Sequence, residues 1–267
     1  MYRLGCNVPG TIIWDGKMMR GGDYANFKKA NDYVLESGFD YVETPLGNVM
    51  AFSDEQIARG ADELCVRSVN GFLPKKLYSH YDELVKYAEK AFQRMKILGV
   101  ETAVFGSGKM RKIVFNFRRD KKMNVLSDYL KTIGDLAQNA GVTITIEPLN
   151  TSETNVFNTV TETAEFVRNL NHPAVWALAD IFHMAKENEQ LAVIEQQKDY
   201  IRHLHISEKN RAFPGQPGAG EEKYIPDFFA IVDKIGYDGK ITVEASLKNF
   251  ATQVPQATVA LKNYSGK

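Results

Sequence analysis

Hydrophobic and polar positions alternate along this chain with two periods, and the period switches at nearly regular intervals. Val142, Ile144 and Ile146 alternate with Thr143, Thr145 and Glu147, the two-residue repeat of a pleated strand. Pro148 follows, and because proline cannot donate to a sheet ladder the strand is expected to stop there. Between His80 and Leu98, by contrast, Leu84, Tyr87, Ala88 and Ala91 fall on one stripe at the three-and-four spacing of a helix. The same switching predicts strands over residues 2–8, 39–44, 65–73, 100–105, 142–147, 174–180, 200–207 and 240–245. Helices are expected over 23–37, from Ser53 onward, and over 80–98, 124–140, 159–170, 187–197, 226–236 and 251–264. Gly38, Gly99 and Gly141 stand where helices need a left-handed cap. Eight strand–helix units with no Pro, Gly or Ser linker between halves predict the α/β class, a single-domain (β/α)8 TIM barrel over residues 1–267.

Four consecutive predicted strands end on side chains that carry chemistry. The fifth ends at Glu147, the sixth at Asp180, the seventh places His203 and His205 on one face, and the eighth places Thr242 and Glu244 on one face. The carboxyl ends of barrel strands are where such folds do their chemistry. With the polar set facing inward, Glu147, Asp180, His205 and Glu244 converge. Uncompensated carboxylates brought together repel one another, and a bound cation resolves that conflict. Three carboxylates and one imidazole suit one divalent ion, Mn²⁺ or Mg²⁺ with Co²⁺ admissible, better than Zn²⁺.

Composition narrows the classes. The 267 residues carry 33 basic and 33 acidic side chains and a formal net charge of zero, which supports neither a nucleic-acid nor a membrane partner. Two cysteines, Cys6 and Cys65, are too few for a disulfide framework and read as small buried apolar residues. The amino terminus lacks the apolar stretch of a signal peptide, and no apolar run approaches the ~20 residues of a membrane span. A cytoplasmic protein is expected.

The stretches Asp180-Ile-Phe-His183-Met, His205-Ile-Ser-Glu-Lys-Asn-Arg211 and Ile235-Gly-Tyr-Asp-Gly-Lys-Ile-Thr-Val-Glu244 resemble signatures of the ketose 3-epimerases. These are tagatose- and psicose-type enzymes of the xylose isomerase-like barrel superfamily. The resemblance implies one Mn²⁺-type ion on Glu147, Asp180, His205 and Glu244. It implies that Glu147 and Glu244 act as an acid–base pair on opposite substrate faces. It also implies that Glu153, His183 and Arg211 hold substrate oxygens, with Glu43 near the substrate. The chemistry fits: an ion on the carbonyl stabilises an enediolate, and two carboxylates can remove and return a proton. Partners implied are a small-molecule sugar or sugar phosphate and further copies of the chain, as a dimer or tetramer.

Other stretches bear on the substrate. Gly106-Ser-Gly108-Lys-Met-Arg111 precedes a basic run through Arg118, Arg119, Lys121 and Lys122, and free backbone N–H groups beside an arginine can cradle an anion. This departs from the free-sugar epimerases and admits a phosphorylated or acidic sugar. Asn150-Thr-Ser-Glu153 also lacks the arginine and aromatic that those enzymes place before the matching glutamate. Trp14 is a candidate to pack over a sugar, and the loop at 214–220 a candidate lid. Alternatives carried are an inosose dehydratase or ketoinositol isomerase, an endonuclease IV-like DNA-repair enzyme, and a non-catalytic sugar-binding barrel.

Overall fold

The computed structural model describes residues 2–114, 118–216 and 223–265. Its strands in chain order are β1 Arg3–Asn7, β2 Thr11–Trp14, β3 Lys17–Arg20, β4 Tyr41–Pro45, β5 Val66–Asn70, β6 Thr102–Phe105, β7 Thr143–Ile146, β8 Val175–Asp180, β9 Ile201–Ile206 and β10 Lys240–Val243. Eight of them close a parallel barrel in the order β1-β10-β9-β8-β7-β6-β5-β4, with β4 returning to β1. The helices are α1 Tyr24–Glu36, α2 Leu46–Ala51, α3 Asp54–Glu63, α4 Tyr81–Leu98, α5 Gly108–Arg111, α6 Arg119–Ala140, α7 Val160–Leu170, α8 Ile181–Lys186, α9 Ala192–Gln196, α10 Tyr224–Lys234 and α11 Phe250–Ser265. Among the described residues no helix is long and apolar enough to cross a membrane.

Alternation along each strand sorts side chains between two environments. Outward residues such as Val42, Ala103, Ile144, Ala177, Leu204 and Ile241 join the core between sheet and helices. There the stripe of α4, with Leu84, Ala88, Ala91, Met95 and Leu98 buried, meets them. Each large aliphatic side chain so buried contributes ~1.5–3 kcal/mol relative to exposure. Capping fixes where helices start and stop. Ser53 and Gln56 form a reciprocal capping box on α3, and Gly99 and Gly141 take the left-handed caps of α4 and α6.

The inward set is unusually polar for a barrel, where branched apolar residues commonly fill the lumen. Hydrogen bonds between strands that are not neighbours reveal it. Glu43 of β4 meets His203 of β9, and Asn70 of β5 reaches Glu244 beyond β10. Tyr41 crosses the lumen to Thr242 at 2.8 Å, over Gly5, where a Cβ would lie 2.3 Å from the tyrosine ring. At the amino ends of the strands, Arg3 and Lys240 both bind Glu101, Lys240 at 2.9 Å. That ionic cluster and the fully buried Tyr41, Leu178, His203 and Thr242 fill the lower barrel.

Several expectations need correction. The strand expected over 65–73 stops at Asn70, because Gly71 turns the chain at φ +62°. The helix expected over 124–140 begins five residues earlier, at Arg119. Of the helix expected over 187–197 only Ala192–Gln196 is α-helical, after Asn188 adopts a left-handed φ of +56°. Residues 11–20 form the hairpin β2–β3, turning at Asp15 and Gly16, both with positive φ. Cys6 is buried as expected, whereas Cys65 is half-buried.

Candidate active site

Glu147, Asp180, His205 and Glu244 come together at the carboxyl end of the barrel, their ligand atoms all within 4.8 Å of one another. Parallel register explains this: Asp180 pairs with His205 across β8 and β9, and His205 with Thr242 across β9 and β10. Glu147 and Glu244 lie one residue past β7 and β10. His205 Nδ1 stands 3.2 Å from Glu147 Oε1, 3.1 Å from Glu244 Oε2 and 3.9 Å from Asp180 Oδ2. Donors ~2.1 Å from a shared centre stand about 3 Å apart, so these spacings and this donor chemistry fit one hard divalent ion. Asp180 divides its oxygens: Oδ1 accepts the Phe182 amide at 2.8 Å as the cap of α8, and Oδ2 faces the cluster.

Electrostatics within the cluster is asymmetric. Burial and then the charge of Glu244 push the Glu147 carboxyl above its ordinary value. Burial also acts on Glu244, yet Arg211 and His205 hold it below the ordinary value. Asp180 is held at about 2, against burial, by Arg211, His183 and His205. Arg211 achieves this by bridging Asp180 Oδ2, at 2.6 Å, and Glu244 Oε2. Its guanidinium rests 4.6 Å from the Phe182 ring centroid, and its backbone adopts a left-handed φ of +65°. His205 is pushed well above its usual value: burial opposes the charge, but Glu43 and Glu244 outweigh it.

A cavity of about 380 Å³ opens onto the cluster, lined by Glu147 and Glu244 and by Glu153, His183 and Arg211. Glu43 does not line it. This carboxylate is fully buried beneath and accepts from His203 at 2.9 Å, Thr242 at 3.0 Å and Asn70 at 3.0 Å. Glu43, His203 and His205 also group closely enough to hold an ion, but here the Glu43 oxygens already accept from His203, Thr242 and Asn70. Burial pushes His203 down to about 4, so it is neutral.

The loop at Gly106, Ser107, Gly108 and Lys109 lines the cavity, but Arg111 takes no part in it. A Cβ on Gly106 would lie 2.2 Å from Glu147 Oε2, and one on Gly108 2.7 Å from Leu149 Cδ1, so these glycines give clearance. Arg111 is fully buried, donating to the Phe105 and Glu147 carbonyls, away from the cavity. Arg119 likewise binds a carbonyl, that of Asn155. Trp14 packs between Tyr33 and Phe250, with ring centroids 4.8 and 5.5 Å away. Residues 217–220 of the expected lid lie outside the described residues. Asn70 and Asn150 are the polar residues that sequence reasoning missed. The inward pair Ser68–Asn70 repeats the pattern of Thr145–Glu147 and was the available signal for Asn70.

Comparison with known proteins agrees with this architecture. A ketose 3-epimerase of Arthrobacter globiformis is 27% identical over 91% of this chain and 83% of that protein. A D-psicose 3-epimerase of Ruminiclostridium cellulolyticum is 32% identical over 82% of this chain and 78% of the other. The solved structure of an L-ribulose 3-epimerase superposes with a TM-score of 0.81 at 19% identity, covering 100% of this chain and 95% of that one. The xylose isomerase-like TIM barrel profile matches residues 32–263. With its closed eight-stranded parallel barrel, this chain belongs to the xylose isomerase-like TIM barrel family.

Proposed function

We propose that this protein is a divalent-metal-dependent ketose 3-epimerase. The observation that carries the reading is that Glu147 and Glu244 belong to the ion-holding cluster and also line the cavity above it. Glu147, Asp180, His205 and Glu244 hold one ion, Mn²⁺ or Mg²⁺, which when bound supplies positive charge that makes a proton beside a ketone easier to remove. Glu147 and Glu244 act on that proton, one withdrawing it and the other delivering one to the opposite face, so that the carbon inverts. Their unequal environments suit a division of labour, since Glu244 carries the Arg211 guanidinium and Glu147 does not. Glu153, His183 and Arg211 orient substrate hydroxyls. The named relatives, ketose and psicose 3-epimerases, support the same reaction.

Charge at the cavity favours a neutral sugar. Glu147, Glu153 and Glu244 face Lys109 and an Arg211 already engaged by carboxylates. A phosphate placed there would meet carboxylates, and Arg111 is turned away from it.

The test is hydrogen exchange followed by NMR. Protein loaded with Mn²⁺, then freed of excess ion, is incubated in D₂O with ketohexoses, ketopentoses and their phosphates; a parallel sample carries Mg²⁺. Deuterium at C3 with a new epimer is the expected result, on the free ketoses. Uptake at C1 with an aldose would make the protein an aldose–ketose isomerase. No exchange on any ketose, with the ion bound, would refute the reading.

A further inference from the structure

Two histidines stand at this site, and their ring nitrogens are engaged in opposite senses. His205 Nε2 lies 3.1 Å from Glu43 Oε1. A carboxylate that already accepts from Asn70, Thr242 and His203 has no proton to give, so His205 Nε2 must carry the hydrogen. The nitrogen turned toward Glu147, Glu244 and Asp180 is then Nδ1. His183 is arranged the other way. Its Nδ1 lies 3.1 Å from the Asn150 backbone nitrogen and 2.9 Å from Asn150 Nδ2. A backbone amide only donates, so His183 Nδ1 must be the acceptor and Nε2 the protonated nitrogen. The Asn150 amide cannot be reversed, because its Oδ1 accepts the Ser152 backbone N–H at 3.2 Å. Its second N–H binds Glu153 Oε1 at 2.9 Å, tying two cavity residues to one side chain.

We infer that Glu43 and Asn150 are positioning residues that assign the two imidazoles different tasks. Glu43 makes His205 present an Nδ1 lone pair to the cation, and Asn150 makes His183 present Nε2–H to a substrate oxygen. This accounts for a selectivity in the cluster. His183 Nε2 lies 3.7 Å from Asp180 and 4.0 Å from Glu147, yet it is the wrong kind of atom to be a ligand. Carboxylates behind metal-bound imidazoles commonly fix orientation and basicity in this manner. Neither Glu43 nor Asn150 lines the cavity. The identity of the ligand met by His183 rests on the epimerase reading, whereas the protonation pattern does not.

The test is ¹⁵N NMR of the imidazoles of the intact protein, titrated with Mg²⁺ because that ion is diamagnetic. With five histidines in the chain, the signals can be assigned by single substitution. His183 is expected to hold its proton on Nε2 throughout, and His205 to keep Nε2–H while Nδ1 carries none once Mg²⁺ binds. Glu43→Gln should weaken Mg²⁺ binding roughly 10–100-fold. Asn150→Asp, which removes the side-chain donor to His183 Nδ1, should raise the ketose KM roughly tenfold. A proton on His183 Nδ1, or wild-type Mg²⁺ affinity in Glu43→Gln, would overturn the assignment. If a variant does not fold, the wild-type spectra decide. The expected tautomers in a protein that turns over no ketose would support the assignment and sink the epimerase reading alone.

Discussion

The two ends of this barrel both carry buried or half-buried charge, and they balance it in opposite ways. At the amino end Arg3, Lys240 and, at 3.9 Å, Arg67 surround the single carboxylate of Glu101. Hydrogen bonding from Arg3, then Lys240, outweighs partial burial and holds Glu101 at about 2. At the carboxyl end the excess runs the other way. Glu43, Glu147, Asp180 and Glu244 crowd around His205 and Arg211. A protein gains no stability by burying surplus carboxylates, and the proposed divalent ion would offset this excess. The one carboxylate of the lower cluster is held by the cations around it, whereas carboxylates outnumber the cations of the upper one.

Breaking the upper cluster is expected to have the largest effect. Glu147→Gln or Glu244→Gln keeps the shape and removes a base, and should cut epimerisation at least ~10²–10⁴-fold in steady-state assays. Circular dichroism should show the fold intact. Gly106→Ala comes next. The added Cβ displaces the free end of Glu147, a cheap movement for the fold, but a ~1 Å error in placing a reacting group costs ~10²-fold in rate. Thermal melts of this variant should stay close to wild type while turnover falls. If turnover survives, the clearance assigned to Gly106 is wrong.

The lower cluster should respond in the opposite manner. Glu101→Gln removes partly exposed ion pairs, each worth ~1 kcal/mol or less, so urea midpoints should fall slightly with turnover unchanged. The smallest effect sharpens the contrast by pH. Because folding lowers the Glu101 value from 4.5 to about 2, its contribution is full above about pH 4.5 and is lost as pH falls toward 2. In Glu101→Gln, the acid limb of a stability–pH profile should be flatter over that window.

Legibility in the sequence followed locality. The eight strands and the convergence of Glu147, Asp180, His205 and Glu244 were readable because a period of two and a strand end suffice to aim a side chain. The hairpin at residues 11–20 was missed although Asp15-Gly16 is a strong turn signal, because its strands are only four residues long. Glu43 was read as near the substrate, and nothing local distinguishes a carboxylate facing a cavity from one facing two histidines some 160 residues away. Arg111 misled for a related reason. A basic residue beside glycines suggests an exposed anion site, and only the fold reveals that backbone carbonyls claim its donors.

The filled lower barrel has a kinetic consequence. With Tyr41, Leu178, His203 and Thr242 fully buried beneath Glu147, Asp180, His205 and Glu244, the packed lower barrel leaves the upper mouth as the way in and out of the cavity. Reactant and product therefore pass through the same aperture and compete for the same side chains. Epimers differ at a single carbon, so neither is bound much more weakly than the other. Progress curves should bend early as product accumulates.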